Sequence, residues 1–245
     1  MEPRNQMLDR YVLGLAKKSH PRIAFVGTAS GDSSDYVRRF YLAMEKLPCR
    51  PADVSLFRID SAARPPIQRL LEQDVLYVGG GNTANLLALW RLHGVDHAMR
   101  EAWHRGVILC GISAGMNCWF EASVTDSFGP LRELKDGLGI LPGSACPHYD
   151  GEANRRPTYH RLINESILPA GIAADDGAAV HFIGRRVFCC VASRPRAKAY
   201  RVLCRGSEVA EIPLPVMFLG RSSGAQTFTM RNLKKGSRSA SRQRR

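Results

Sequence analysis

Short apolar runs alternate with amphipathic stretches along most of the chain. Runs rich in β-branched residues and bounded by Gly or Asp predict strands at 22–30, 54–60, 74–80 and 107–112. Between them, 32–47 has polar N-cap residues and then apolar positions at near-helical spacing, which predicts a helix. The stretch 82–106 predicts one helix or two, with a break at Gly94. This alternation is typical of strand–helix–strand units, so we expect an α/β fold whose mostly parallel sheet is flanked by helices.

The second half of the chain continues the pattern and shows no internal boundary. A basic segment at 155–166 predicts a helix. Further strands are predicted at 179–184, 186–192 and 199–203. We find no internal repeat and no linker strong enough to divide the chain between residues 22 and 225. The sequence therefore predicts an N-terminal extension, one α/β domain and a tail, at 1–21, 22–230 and 231–245.

Charge is concentrated at the C-terminus. The chain has 245 residues and a net charge of +13, and its last fifteen residues, RNLKKGSRSASRQRR, carry seven Lys or Arg and no acid. A segment this polar gains too little from burial to offset the entropy of ordering it, so we expect 231–245 to be disordered. The sequence shows neither zinc-finger spacing nor an aromatic-basic motif. Nucleic-acid binding is therefore expected only as weak contacts of this basic tail with phosphates.

Cysteine usage and hydropathy indicate a cytoplasmic protein. The seven cysteines lack disulfide-framework or CxxC spacing. Four of them lie in apolar strand-like runs and are predicted to be reduced, buried thiols: Cys110, Cys189, Cys190 and Cys204. No apolar run approaches the roughly 18 residues of a membrane span, so no membrane association is expected. The histidines and cysteines show no metal-ligand spacing, and we expect neither a metal nor an organic cofactor.

The sequence GISAG, at 111–115, places a serine at a predicted strand-to-helix junction. A Gly-x-Ser-x-Gly turn holds its serine in a sparsely populated backbone conformation, with the hydroxyl exposed at the end of the sheet. Ser113 is therefore a candidate nucleophile, and the amide of Ala114 is a candidate oxyanion donor. The competing interpretation is that small residues merely allow close packing of the helix against the strand. The motif alone does not decide between the two.

A second glycine-rich turn, GGGN at 79–82, ends another predicted strand. Its backbone amides can approach a ligand closely, so Gly81 is a candidate for the second oxyanion donor. The turn lacks the Lys-Ser/Thr ending of a P-loop and the full GxGxxG spacing, so nucleotide binding is disfavoured.

A serine nucleophile needs a base and an acid that orients the base. Of the seven histidines, His148 is distinguished by its position in a predicted loop between Pro147 and Gly151. Candidate acids in predicted loops are Asp126, Asp175 and Asp176. Spacing alone does not choose among them.

Four segments together resemble the peptidase E family, which comprises aspartyl dipeptidases and cyanophycinase-like serine peptidases with a class I glutamine-amidotransferase-like, flavodoxin-like three-layer fold. These segments are VGGGNTANLL, GISAGMN, DGLGILPGSACPHY and GIAADDGAAV, in that order between residues 23 and 187. The resemblance implies that Ser113 is the nucleophile and His148 the base. It also implies that Gly81 and Ala114 form the oxyanion hole. Asp126 is the first choice for the third catalytic residue, and Asp176 is the alternative.

The same resemblance implies a small peptide substrate, in particular a dipeptide with an N-terminal aspartate. Asn82, Arg155 and Arg156 are then the candidate substrate-binding residues, since a guanidinium binds a carboxylate in two-point fashion. Serine rather than cysteine at the elbow favours hydrolysis over glutamine amide transfer. A monomer or homodimer is expected. Two alternatives stay open: a non-catalytic or amidotransferase-like domain that binds a small metabolite, and a nucleic-acid-associated protein that acts through its tail.

Overall fold

The computed structural model describes residues 5–58, 64–206 and 208–220. The predicted basic tail at 231–245 lies outside these ranges. The helices are α1 (Met7–Leu15), α2 (Ser34–Met44), α3 (Pro66–Leu71), α4 (Thr83–Leu92), α5 (Val95–His104), α6 (Ala114–Asn117) and α7 (Arg155–Asn164). The strands are β1 (Arg22–Val26), β2 (Arg50–Val54), β3 (Val75–Val78), β4 (Ile108–Gly111), β5 (Phe120–Thr125), β6 (Arg132–Leu134), β7 (Leu141–Cys146), β8 (Gly171–Ala174), β9 (Ala178–Ile183), β10 (Arg186–Ala192), β11 (Ala199–Arg205), β12 (Glu208–Leu214) and β13 (Val216–Phe218).

The strands form three hydrogen-bonded sheets. A four-stranded sheet has the order β2-β1-β3-β4 and is parallel throughout. A six-stranded sheet of order β12-β11-β8-β7-β5-β6 has parallel strands at its centre and antiparallel strands at both ends. A small sheet of order β13-β10-β9 accompanies them. The predicted α/β class with a mostly parallel sheet is confirmed.

Helices cover both faces of the four-stranded sheet. Along β1, Ile23 and Phe25 pack with buried residues of α1 and α2, whereas Ala24 and Val26 pack with buried residues of α3, α4 and α5. A strand buried on both faces is apolar at consecutive positions, which explains the unbroken run in β1. The result is the predicted three-layer arrangement of helix, sheet and helix.

The second predicted strand, at 54–60, is wrong in position. The observed strand is β2, Arg50–Val54, and it lies at the edge of its sheet, where the missing N–H of Pro51 is tolerated. The chain then turns, because the buried carboxylate of Asp32 accepts hydrogen bonds from the backbone N–H groups of Leu56 at 2.7 Å and Phe57 at 3.0 Å. The apolar residues after Val54 therefore belong to a loop, and residues 59 and 60 lie outside the described ranges.

The predicted break at Gly94 is confirmed. Gly94 has a left-handed backbone with φ +69° and separates α4 from α5. Residues of the predicted N-terminal extension pack onto the domain: Leu13 of α1 is buried, and the Tyr11 hydroxyl hydrogen-bonds His181 Nδ1 at 2.8 Å. Each helix in the described ranges is too short or too polar to span a lipid bilayer.

All seven cysteines are free thiols. Cys190 is buried and Cys110 and Cys189 are half-buried, but Cys204 is exposed, so the prediction of burial is wrong for Cys204. Cys204 lies on the same face of β11 as the buried Val202, and its thiol donates to the carbonyl of Ile163 in α7 at 3.2 Å. Cys204 is the last residue but one of β11, so its exposure reflects its place at the end of the strand rather than the face on which it lies.

Candidate active site

Ser113 occupies a strained turn between β4 and α6. Its backbone angles are φ 56° and ψ −116°, a combination that L-residues with a side chain rarely adopt. Such a conformation costs of order 1–3 kcal/mol and persists where the surrounding structure holds it. The serine therefore has the backbone expected of a nucleophile elbow.

The glycines on either side of Ser113 are required by packing. A Cβ added to Gly111 would lie 2.2 Å from the carbonyl oxygen of Gly115, and one added to Gly115 would lie 2.2 Å from that of Val78. The packing interpretation of GISAG is thus correct for its glycines. It does not explain the strained conformation of the serine between them.

The glycine run after β3 lies directly beside the serine. A Cβ added to Gly80 would lie 3.1 Å from Ser113 Cβ and 3.7 Å from Ser113 Oγ. Gly81 has φ +139°, and its Cβ would lie 2.1 Å from the carbonyl oxygen of Ala29, so only glycine fits there. Because β3 and β4 are parallel neighbours, their carboxyl ends bring both turns to the same edge of the sheet.

Two backbone amides, one in the turn after β3 and one in the turn after β4, are available to a ligand. The N–H of Gly80 donates to the hydroxyl of Tyr36 at 3.2 Å. Within the described part of the chain, the N–H groups of Gly81 and Ala114 have no acceptor. These are the two amides that the sequence nominates as oxyanion donors.

Asn82 has a structural role in this arrangement. Its Oδ1 accepts from the N–H of Asn85 at 2.8 Å, which caps α4, and its Nδ2 donates to the Ser127 carbonyl at 2.9 Å. Both polar ends of the side chain are therefore engaged within the protein rather than directed to a substrate.

His148 and Asp176 form a pair that is fixed at three points. His148 Nδ1 lies 2.7 Å from Asp176 Oδ1. The N–H of Asp176 donates to Asp150 Oδ1 at 2.8 Å. A Cβ added to Gly151 would lie 2.5 Å from Asp176 Oδ2, so the turn after His148 closes against this carboxylate. The geometry is that of a base held by an acid.

Asp126, the first choice of the sequence for the acid, is directed elsewhere. Its side chain is 60% exposed, and its carboxylate lies 3.8 Å from the guanidinium of Arg155. Asp126 follows β5 and Asp176 follows β8, and both strands pair with β7, which leads to His148. Topology thus admits either aspartate, but the guanidinium of the buried Arg155 holds Asp126, and the carboxylate bonded to the histidine is that of Asp176.

Asp175 differs from its neighbour Asp176. It is buried and accepts a hydrogen bond from the N–H of Lys198 at 2.9 Å. Burial raises the pKa of the Asp175 carboxyl above its usual value, and the Lys198 N–H only partly offsets this. Of the two adjacent aspartates, one therefore supports the loop and the other faces the histidine.

Neither arginine proposed for the substrate is free. Arg155 is 3% exposed, and its Nε donates to Glu152 at 2.7 Å. The guanidinium of Arg156 pairs with Glu211 and lies 5.1 Å from the centroid of the Tyr149 ring.

Glu211 stays ionised in this cluster. Its burial would raise its pKa, but hydrogen bonds from Arg156, Tyr149 and His160 outweigh burial and lower it. His160 is thereby a second histidine paired with a carboxylate, at 2.6 Å from Glu211. It does not line the cavity that contains Ser113.

Ser113 and His148 line one cavity of about 310 Å³. The other lining residues are Tyr36, Arg39, Gly80 and Ile112. Sequence reasoning did not identify Tyr36 and Arg39 as site residues, although their i, i+3 spacing in a predicted helix places them on one face. No group of three or more His, Cys, Asp or Glu that could hold a metal occurs among the described residues.

Comparisons with known proteins identify the family of the chain. The family model described as peptidase family S51 matches residues 1–190. The uncharacterized peptidase YgaJ of Bacillus subtilis is 56% identical over 220 residues, which cover 90% of this chain and 94% of that protein. Peptidase E of Citrobacter koseri is 30% identical over 135 residues, which cover 53% of this chain and 58% of that protein.

A solved structure extends the agreement to the fold. The crystal structure of a peptidase from an acI-B1 actinobacterium superposes with a TM-score of 0.62 at 15% identity, covering 85% of this chain and 89% of that one. The family model and the sequence relatives confirm the resemblance to peptidase E. The chain belongs to peptidase family S51 and is a serine-type peptidase.

Proposed function

We propose that the protein hydrolyses short peptides, in particular dipeptides with an N-terminal aspartate, through an acyl-enzyme on Ser113. The observation that carries this proposal is the His148–Asp176 hydrogen bond of 2.7 Å at the edge of the cavity that also contains Ser113. A serine hydroxyl is a weak nucleophile near neutral pH, and an oriented imidazole is what activates it.

In the first half of the reaction, Asp176 accepts a hydrogen bond from the Nδ1–H of His148, which leaves the unprotonated Nε2 as the base. Ser113 Oγ attacks the scissile carbonyl carbon while its proton passes to His148 Nε2. The C–N bond then breaks as the same proton moves to the leaving amine. In the second half, His148 takes a proton from water, the hydroxide adds to the ester, and Ser113 leaves with the proton restored.

The N–H groups of Gly81 and Ala114 are suited to stabilise the oxyanion of each tetrahedral intermediate. Neither has an acceptor in the described part of the chain. Ala114 directly follows the serine, and Gly81 follows Gly80, whose added Cβ would lie 3.1 Å from Ser113 Cβ. Donors of this kind are worth about 10²- to 10³-fold in rate each, because they are already in place before charge develops.

The preference for short peptides is supported by the size of the cavity. At about 310 Å³ it is at the small end of ligand pockets, which span about 300–1,000 Å³. The preference for an N-terminal aspartate is supported by the four segments that resemble aspartyl dipeptidases, and by a basic side chain in the cavity wall.

A peptide panel tests both parts of the proposal. The purified protein and its Ser113→Ala variant are incubated with dipeptides that begin with Asp, Asn, Glu or Ala, and with tripeptides that begin with Asp. We expect turnover that depends on Ser113, is fastest for Asp-Xaa and falls for tripeptides. Wild-type turnover no faster than that of the variant on every peptide would contradict hydrolysis, and equal rates across the panel would contradict the specificity.

A further inference from the structure

Arg39 contributes a positive charge to the cavity that contains Ser113, and the described residues do not pair this charge with a carboxylate. It lies on α2, is exposed, and lines the cavity together with Ser113 and His148. No carboxylate of residues 5–58, 64–206 or 208–220 lies within ion-pair distance of its guanidinium. Arginine stays protonated at physiological pH, so this charge is permanent. An anionic group of a ligand in the cavity is therefore its natural partner.

Tyr36 holds the guanidinium of Arg39 in place. The guanidinium carbon lies 4.9 Å from the centroid of the Tyr36 ring, one helical turn away on α2. Tyr36 is itself fixed, because its hydroxyl accepts from the N–H of Gly80 at 3.2 Å and its ring lies 4.9 Å from that of Phe25. A guanidinium over a ring face keeps its in-plane N–H groups free, and these can bind a carboxylate by two parallel hydrogen bonds.

Tyr36 also connects this cation to the oxyanion hole. Gly80, whose N–H the Tyr36 hydroxyl accepts, is followed by Gly81, whose N–H is directed to no acceptor in the described chain. The guanidinium and the reacting serine are thus parts of one cavity wall, joined by Tyr36 and the glycine turn.

We propose that Arg39 binds a carboxylate of the peptide substrate. The proposal rests on peptide hydrolysis at Ser113 and names a residue that binds the substrate. Arg155 and Arg156, which the sequence nominates for this role, are already paired with Glu152 and Glu211. An N-terminal aspartate side chain and the C-terminal carboxylate of a dipeptide offer the same chemistry, and the test separates them.

Four peptides carry the two carboxylates in every combination. Asp-Leu has both, Asn-Leu has only the C-terminal carboxylate, Asp-Leu amide has only the side-chain carboxylate, and Asn-Leu amide has neither. For Arg39→Ala we expect kcat/KM to fall by about 10- to 100-fold on peptides that carry the recognised carboxylate, chiefly through KM, since a charge-assisted bond is lost. Asn-Leu amide should change by less than about threefold. A loss that follows Asp assigns the side chain, and a loss that follows the free terminus assigns the C-terminal carboxylate.

Two further variants control for charge and position. Arg39→Lys keeps the charge but not the two-point geometry, so its kcat/KM should be intermediate. Arg38→Ala removes an arginine whose side chain is 71% exposed and that lines a separate cavity, so it should leave kcat/KM unchanged on all four peptides. An equal loss for Arg39→Ala on Asn-Leu amide, or no loss on any peptide, overturns the proposal.

A binding measurement distinguishes failure of this proposal from failure of the hydrolytic function. The affinity of Ser113→Ala for Asp-Leu and for Asn-Leu amide is measured by calorimetry, alone and with Arg39→Ala added. We expect the added Arg39→Ala substitution to weaken the binding of Asp-Leu about tenfold and to change the binding of Asn-Leu amide little. If no peptide is hydrolysed but Asp-Leu binding depends on Arg39, the hydrolytic function fails and the Arg39 assignment holds. Equal Asp-Leu affinities with and without Arg39 overturn the assignment.

Discussion

Replacing Ser113 with alanine should lower kcat/KM on Asp-Xaa peptides by on the order of 10⁴-fold or more, because the group that forms the acyl-enzyme is gone. The free energy of unfolding should change by less than about 1 kcal/mol, since a hydroxyl in the wall of an open cavity contributes little packing. Steady-state kinetics and urea denaturation of the same preparations measure both quantities.

Ser113→Gly gives a sharper form of this test. Glycine adopts φ 56° without strain, so this variant should be equally inactive and more stable than the wild type by about 1 kcal/mol. Gain of stability together with loss of activity would show that the turn stores strain for catalysis. Activity within about tenfold of the wild type in either variant would exclude Ser113 as the nucleophile.

Replacing Asp176 with asparagine should lower kcat by on the order of 10³- to 10⁴-fold, with little effect on KM. The neutral amide can donate to His148 Nδ1, which favours the tautomer that protonates Nε2 and disables the base. Asp126→Asn is the matched control, because it makes the same chemical change on a carboxylate that is 60% exposed and lies by Arg155. That variant should keep kcat within about threefold of the wild type.

The two aspartate variants decide between the acids directly. A loss in Asp126→Asn as large as that in Asp176→Asn would mean that the arrangement changes when substrate binds. Full activity in Asp176→Asn, with a folded protein by circular dichroism, would remove Asp176 from the catalytic group.

The layer architecture follows from sequence because its signals are local. The unbroken apolar run of β1 indicates a strand buried on both faces, and Gly94 marks the helix break by its need for φ +69°. The predicted strand at 54–60 is misplaced because the contact that ends β2 comes from a residue distant in sequence. Asp32, which binds the amides of Leu56 and Phe57, lies more than twenty residues before them in the chain.

Ser113 and His148, which we propose as nucleophile and base, can also be singled out from sequence, since each lies in a turn with its own glycine or proline signal. The choice of acid cannot be made from sequence, because Asp126 and Asp176 follow strands on either side of β7 and only the direction of their side chains separates them. The unpaired guanidinium of Arg39 could not be recognised from sequence either. Arg155 and Arg156 lie near the histidine in sequence but are held by Glu152 and Glu211, whereas Arg39 comes from a helix about a hundred residues earlier.

The central claim is that His148 activates Ser113 as a nucleophile, and covalent labelling tests it most directly. The protein is treated with a fluorophosphonate, which phosphonylates activated serines, and the adduct is located by peptide mass spectrometry. The account predicts one adduct on Ser113 that is lost in His148→Ala and kept in His160→Ala, whose histidine pairs with Glu211 outside the cavity. Absence of an adduct, or an adduct on Ser113 that forms equally fast without His148, would contradict it.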